Sequence, residues 1–121
     1  MVSALSANFR LLSDSATSDF GVSVEPGDPV TTVRVVGELD IYTAPKLLDH
    51  LRPLMEESGR TVAVDLGGVR FIDSSGLGAL VNALKQLRET GGDLLLRSPT
   101  PSTYKLFEIT GLTRVFTIET R

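Results

Sequence analysis

Asp73-Ser74-Ser75-Gly76-Leu77-Gly78 stands between a run of β-formers and a helical pattern, and its reading decides the fold. Behind it, Leu77, Leu80, Val81, Leu84 and Leu87 line one face of an amphipathic helix. The hexapeptide therefore opens that helix. Two hydroxyls and a carboxylate fall where helical amides lack partners and the positive end of the dipole lies. Asp73 or Ser74 alone would serve as the N-cap. Capping explains neither Ser75 nor the glycines at 76 and 78, each costing up to about 1 kcal/mol against Ala in a helix interior. Their expected use is to leave Ser75 uncrowded and let another surface approach. A plain cap and a functional loop are both open readings at this point.

Upstream, Thr61 to Leu66 reads as a strand, and residues 67–72 lead into the hexapeptide with Phe71 and Ile72 expected to be buried. Downstream, the helix runs from about Ser75 to Glu89 and ends at Gly91-Gly92. Asp93 to Arg97 is a buried strand by its continuous apolar run. Pro99 to Ser102 turn into a short helix packed by Tyr104, Leu106, Phe107 and Ile109, and Val115 to Ile118 form a last strand.

Toward the N-terminus, Thr43 caps a helix with Pro45 in its first turn and Leu47, Leu48, Leu51, Leu54 and Met55 on its buried face. Pro53 predicts a bend there or a stop near Arg52. Val30 to Gly37 is a β-branched strand, and Phe20 to Val24 alternates as a shorter one across a turn at residues 25–29. The order β-β-α-β-α-β-α-β, with right-handed crossovers, predicts an α/β fold. It is a mixed five-stranded sheet, first strand antiparallel, with helices mainly on one face. Residues 1–19 form an N-terminal extension with a small apolar patch at Phe9, Leu11 and Leu12, and residues 20–121 form one domain.

The composition narrows the function. Of 121 residues, 41% are hydrophobic and 22% charged, the balance of a soluble globular domain. A net charge of −3 argues against a nucleic-acid surface, which needs a basic stripe. No apolar run is long enough for a membrane span, and the Met1-Val2-Ser3-Ala4-Leu5 start lacks the features of a secretory signal, so a cytoplasmic location is expected. No cysteine is present, which removes thiol catalysis, disulfides and thiolate metal sites. With His50 the sole histidine, a histidine-rich metal site is excluded as well. No catalytic, cofactor or metal residue is assigned, and a monomer is the default expectation.

Sites in parallel sheets gather at the carboxyl ends of strands. Here that edge carries Glu38 and Asp40 on one loop and Asp73, Ser74 and Ser75 on the next, so Asp40 is expected near the serine pair. An acidic edge bearing hydroxyls suits docking of a basic or amide-rich partner, or a phosphorylated serine that switches such docking. A phosphate brings about −1.5 to −2 charges. It is expected to meet free amides at the helix N-terminus, yet to repel Asp40, Asp73 and a partner fitted to neutral serine. Like charges a few ångströms apart cost on the order of a few kcal/mol at an effective dielectric of about 20.

Two enzymatic or ligand readings fit poorly. A serine hydrolase built on Ser75 and His50 lacks the glycine two residues before the nucleophile. The glycines at 67, 68, 76 and 78 do not have P-loop spacing, and no lysine follows them.

The chain resembles the STAS domain family, and within it the bacterial anti-sigma factor antagonists. The resemblance rests on Gly37-Glu38-Leu39-Asp40, Val62-Ala63-Val64-Asp65-Leu66, and Phe71-Ile72-Asp73-Ser74-Ser75-Gly76-Leu77-Gly78. Gly91-Gly92-Asp93-Leu94 and Leu106 to Leu112 add to it. It implies a non-enzymatic partner switch in transcription regulation and stress response. The unphosphorylated form binds an anti-sigma factor that is also a serine kinase, and so frees a sigma factor. Phosphorylation of Ser75 releases it, and a serine phosphatase restores it. Glu38, Asp40, Asp73, Ser74, Ser75, Gly76 and Leu77 are the implied partner-binding residues. Other uses of the domain, in stress-sensing complexes or as a subunit of lipid transporters, stay open; the free-standing length and Ser75 favour sigma-factor control.

Overall fold

The structure, a computed structural model, describes residues 19–120. The N-terminal extension and its patch at Phe9, Leu11 and Leu12 lie outside the described residues, Asp19 excepted. Five strands, β1 (Gly21–Glu25), β2 (Val30–Leu39), β3 (Thr61–Ile72), β4 (Asp93–Arg97) and β5 (Thr117–Glu119), lie in the order β1-β2-β3-β4-β5. β1 is antiparallel to β2, and the other neighbours are parallel. The crossovers are α1 (Ala44–Met55), α2 (Ser74–Glu89) and α3 (Pro101–Ile109), the last followed by a 3-10 turn at Leu112–Arg114. The expected mixed five-stranded sheet is therefore present.

Val33, Val64 and Leu96 share one register position across three strands and are buried on one face of the sheet. Leu47 and Leu51 of α1, Leu80, Leu84 and Leu87 of α2, and Phe107 of α3 join them in a single core. One core means one helical layer. The Phe107 ring meets Phe116 edge-on, with centroids 5.8 Å apart. Burying such leucines stabilises the fold by roughly 1.5–3 kcal/mol each before entropy is counted.

The opposite sheet face carries charges of alternating sign across the strands. Arg34 bridges Glu25 (3.5 Å) and Asp65 (3.4 Å). Arg97, in register with Asp65, pairs with Glu119 at 2.7 Å. The uncovered face is thus satisfied within the chain.

Several local expectations need correction. β2 and β3 continue past their expected ends, to Leu39 and Ile72. β3 holds two single-residue bulges against β2: Arg34 to Val36 faces Asp65 to Gly68, and Gly37 to Glu38 faces Val69 to Phe71. Each inserted residue shifts the side-chain phase. The core positions therefore become Leu66, Val69 and Ile72. Ile72 is buried as expected, but Phe71, in register with Glu38, is 51% exposed. α1 neither stops nor restarts at Pro53 but runs on to Met55. Pro53 is exposed on the solvent side of the helix, where the Asp49 carbonyl that loses its amide partner can turn to water. Ile109, expected to pack α3, is 73% exposed because the helix ends there and turns away. β5 begins at Thr117, after the 3-10 turn has taken up Leu112–Arg114.

Candidate functional site at the carboxyl edge of the sheet

The loop after β2 is built by mutual hydrogen bonding. Asp40 Oδ1 accepts from the amides of Tyr42 (2.9 Å) and Thr43 (3.0 Å). The Thr43 hydroxyl accepts from the Asp40 amide (2.8 Å) and donates to the Glu38 carbonyl (2.7 Å). Thr43 occupies the N-cap position of α1 as expected, but its hydroxyl turns back into the loop and makes no cap bond. Burial alone would raise the Asp40 pKa; the amides of Thr43 and Tyr42 and the nearby Thr43 hydroxyl outweigh it and hold the carboxyl below its ordinary 3.8.

The second loop is the N-terminus of α2. Asp73 is the N-cap, and its Oδ1 accepts from Ser75 N (2.9 Å) and Gly76 N (3.1 Å). The two loops are joined by the Asp73 amide, which donates to Leu39 O at 3.1 Å. This bond sets Asp40 and Ser74, the next residue on each chain, beside the same junction. A Cβ on Gly76 would stand 2.6 Å from Leu39 O, so only glycine fits. Gly76 is buried; the surface it admits is the chain's own Leu39, which corrects its expected role as an opening for another molecule. Gly78 meets nothing within 4 Å, and it is the glycine that leaves room.

Ser75 is partly buried and Ser74 exposed. The Ser75 hydroxyl makes no hydrogen bond to any described residue. It lies at one end of a groove of about 430 Å3 between α1 and α2, lined by Ile41, Pro45, Leu48 and Arg52 on one side and by Gly78 and Asn82 on the other. Two of the amides expected to be free for a phosphate on Ser75 are taken. Asp73 already holds those of Ser75 and Gly76, so a phosphate would meet a carboxylate across the same turn.

Glu38 projects elsewhere. It is exposed on the sheet face away from the helices, 3.9 Å from Arg70, which also binds Asp19 at 2.7 Å. The Asp19 hydrogen bond and charge raise the Arg70 pKa further. Leu77 packs against the core with its side chain only partly accessible. His50 lies on α1, exposed, with Nδ1 2.8 Å from the Lys46 carbonyl. The structure therefore gathers Asp40, Asp73, Ser74 and Ser75, and sets Glu38 and His50 apart.

Ile41 and Tyr42, 63% and 74% exposed, went unread in the sequence. Two large apolar side chains in a loop between Asp40 and Thr43 were the available signal, because solvated loops seldom carry such a pair. Among the described residues no group of three or more His, Asp or Glu side chains could hold a metal ion, and no helix is long and apolar enough to cross a membrane.

Residues 22–121 match the STAS domain family. The chain belongs to the STAS domain family. It is 40% identical over 85 residues to the anti-sigma-B factor antagonist of Listeria monocytogenes, covering 70% of this chain and 75% of that one. A crystal structure of an anti-sigma factor antagonist from Mycobacterium paratuberculosis superposes with a TM-score of 0.70 at 33% identity, covering 83% and 85% of the two chains. The Bacillus cell fate determinant SpoIIAA in its phosphorylated form shares the fold, with a TM-score of 0.65 at 22% identity over 84% and 93% of the chains. In this STAS domain the loops after β2 and β3 and the α1–α2 groove form one continuous surface.

Proposed function

We propose that this STAS domain is an anti-sigma factor antagonist whose docking is switched by phosphorylation of Ser75. The observation that carries the reading is the unbonded Ser75 hydroxyl at the head of the α1–α2 groove. A kinase reaching it breaks no hydrogen bond to a described residue. The exposed Ile41 and Tyr42 beside it supply apolar anchors of the kind that dominate interface energetics. Kinship with anti-sigma factor antagonists supports the partner class.

In the unphosphorylated state an anti-sigma factor docks over Ser75, Ile41 and the groove, and its sigma factor is released to direct transcription. The anti-sigma factor is itself the serine kinase, and a serine phosphatase reverses the mark. Phosphate on Ser75 adds charge beside Asp73, whose Oδ1 already occupies the two nearest amides. The charge is left to face the partner. At about 1.4 kcal/mol per tenfold, a repulsion of a few kcal/mol weakens docking about 100-fold. The domain contributes a binding surface and no catalysis of its own, and it works in the cytoplasm, where transcription occurs.

The test is to incubate the purified chain with the candidate anti-sigma kinase and Mg-ATP, read intact mass, and map the site. One phosphate on Ser75, absent from Ser75→Ala, with weaker binding of the modified chain, supports the switch. A phosphate elsewhere, or unchanged affinity after modification of Ser75, refutes it.

A further inference from the structure

We propose that Thr43 is a positioning residue of the docking surface: itself buried, it holds Ile41 and Tyr42 outward before a partner arrives. The inference rests on the function proposed above and names what keeps that surface in its docking shape. Thr43 is only 3% exposed, so a partner meets its neighbours and not its side chain. Those neighbours, Ile41 and Tyr42, are two of the most exposed large apolar side chains among the described residues. On a mobile loop such side chains gain by folding back onto apolar surface. Ile41 has Pro45 and Leu48 in its own groove to fold onto. Both side chains stay out, so the loop that carries them is stiff.

The stiffness comes from Thr43. Its hydroxyl donates to the Glu38 carbonyl at 2.7 Å and accepts from the Asp40 amide at 2.8 Å. One side chain thus ties the end of the loop to its start. Asp40 Oδ1 holds the amides of Thr43 and Tyr42, and the Asp40 carbonyl accepts from the Ala44 amide at 2.8 Å. The amides of Asp40, Tyr42, Thr43 and Ala44 are therefore all bonded within this stretch, with Ile41 between them. A threonine at this position has a different ordinary use. At the N-cap of α1 its hydroxyl would accept from the first turn of the helix. Pro45 has no amide to offer, and the Lys46 amide goes without the Thr43 hydroxyl. A residue that leaves a stabilising local role to brace a loop of exposed apolar groups serves what the loop presents. Ordering side chains at the moment of docking weakens affinity, and a surface ordered beforehand avoids that loss.

The test uses Thr43→Val, which keeps the shape of the side chain and removes both hydroxyl bonds, and Thr43→Ser, which keeps them. In the isolated parent, amide relaxation is expected to show Ile41 and Tyr42 as ordered as α1; a mobile loop there overturns the proposal without any variant. In Thr43→Val the amides of Tyr42 and Thr43 are expected to exchange hydrogen about tenfold faster or more, with Leu80 and Leu84 of α2 unchanged and Thr43→Ser near the parent. A rise spread over α2 as well makes Thr43 a structural residue and overturns the inference. Against the anti-sigma kinase that marks Ser75 in the preceding test, Thr43→Val is expected to dock about tenfold more weakly and Thr43→Ser like the parent. In a Tyr42→Ala background the same Thr43→Val change is expected to lose less, because part of what it positions is gone. Equal affinity, or an undiminished loss in that background, sinks the inference and leaves the switch at Ser75 standing. A parent chain that binds no anti-sigma kinase overturns the proposed function, and this inference with it.

Discussion

The amide of Asp73 donates to the carbonyl of Leu39 at 3.1 Å, and the carbonyl's other side is closed by Gly76. This contact locks the loop after β2 to the head of α2. In Gly76→Ala the new Cβ would fall 2.6 Å from that oxygen and 2.9 Å from Ile72 Cγ2. Overpacking of this kind costs about 1–3 kcal/mol, more than the helix propensity gained. Gly78→Ala meets nothing and is expected to stabilise the fold by about 0.4–1 kcal/mol. Urea unfolding of the two variants checks the opposite signs. Because Gly78 lines the α1–α2 groove, its variant is also expected to bind the anti-sigma partner less well despite the firmer fold.

Asp73→Ala removes the acceptor of two helical amides. The expected cost is about 1 kcal/mol, within the usual range for loss of an N-cap. Ser75→Ala, which breaks no hydrogen bond among the described residues, is expected to stay within about 0.5 kcal/mol of the parent. A common urea series read by circular dichroism separates the cap from the phosphoacceptor.

Asp40 gives the site a signature in acid. Its carboxyl titrates below 3.8 in the folded chain and near that value when unfolded. Between the two pKa values the unfolded chain binds more protons, so stability rises with pH across that window. The contribution is complete above the unfolded value and is lost as pH falls through the folded one. Asp40→Asn is therefore expected to be less stable than the parent at pH 7, with the gap closing as pH falls below 3.8 and through the lowered pKa of the folded chain. Unfolding midpoints of both proteins at several pH values test this, and a constant gap would contradict it.

Phe71 and Phe107 are expected to answer truncation very differently. Phe107 is fully buried against Phe116, and Phe107→Ala is expected to cost about 3–5 kcal/mol. Phe71 is half exposed, and Phe71→Ala is expected to cost under about 1.5 kcal/mol. Thermal unfolding of the two variants gives the comparison.

The order of elements and the placement of Asp73 and Ser75 were legible because periodicity, caps and glycines act locally. Leu80, Leu84 and Leu87 announce their helix whatever lies around them. The phase of β3 was not legible, because a bulge is a relation between two strands. Nothing within Leu66-Gly67-Gly68-Val69-Arg70 states which residue of β2 each will face. The Phe71 error follows from that alone. The Asp40–Thr43 loop was half legible: both residues suit a turn, but the choice of Thr43 to bond backward depends on the Glu38 carbonyl. The groove beside Ser75 was illegible because it exists only once α1 and α2 pack.

The paired bulges of β3 carry a further consequence. Each bulge sets two consecutive residues, Gly67 with Gly68 and Arg70 with Phe71, on the outer face, so the residues that follow stay in phase with β2. β3 uses twelve residues where β2 uses ten, and the two bulges absorb the difference before Asp73 meets the Leu39 carbonyl. Deleting Arg70 alone would remove the second bulge and leave Phe71 opposite Glu38 and Ile72 opposite Leu39, each on its present face. A lineage can therefore lose a bulge residue from this strand singly and keep the junction that holds Ser75 in place, whereas losing a paired residue shifts that junction along β2.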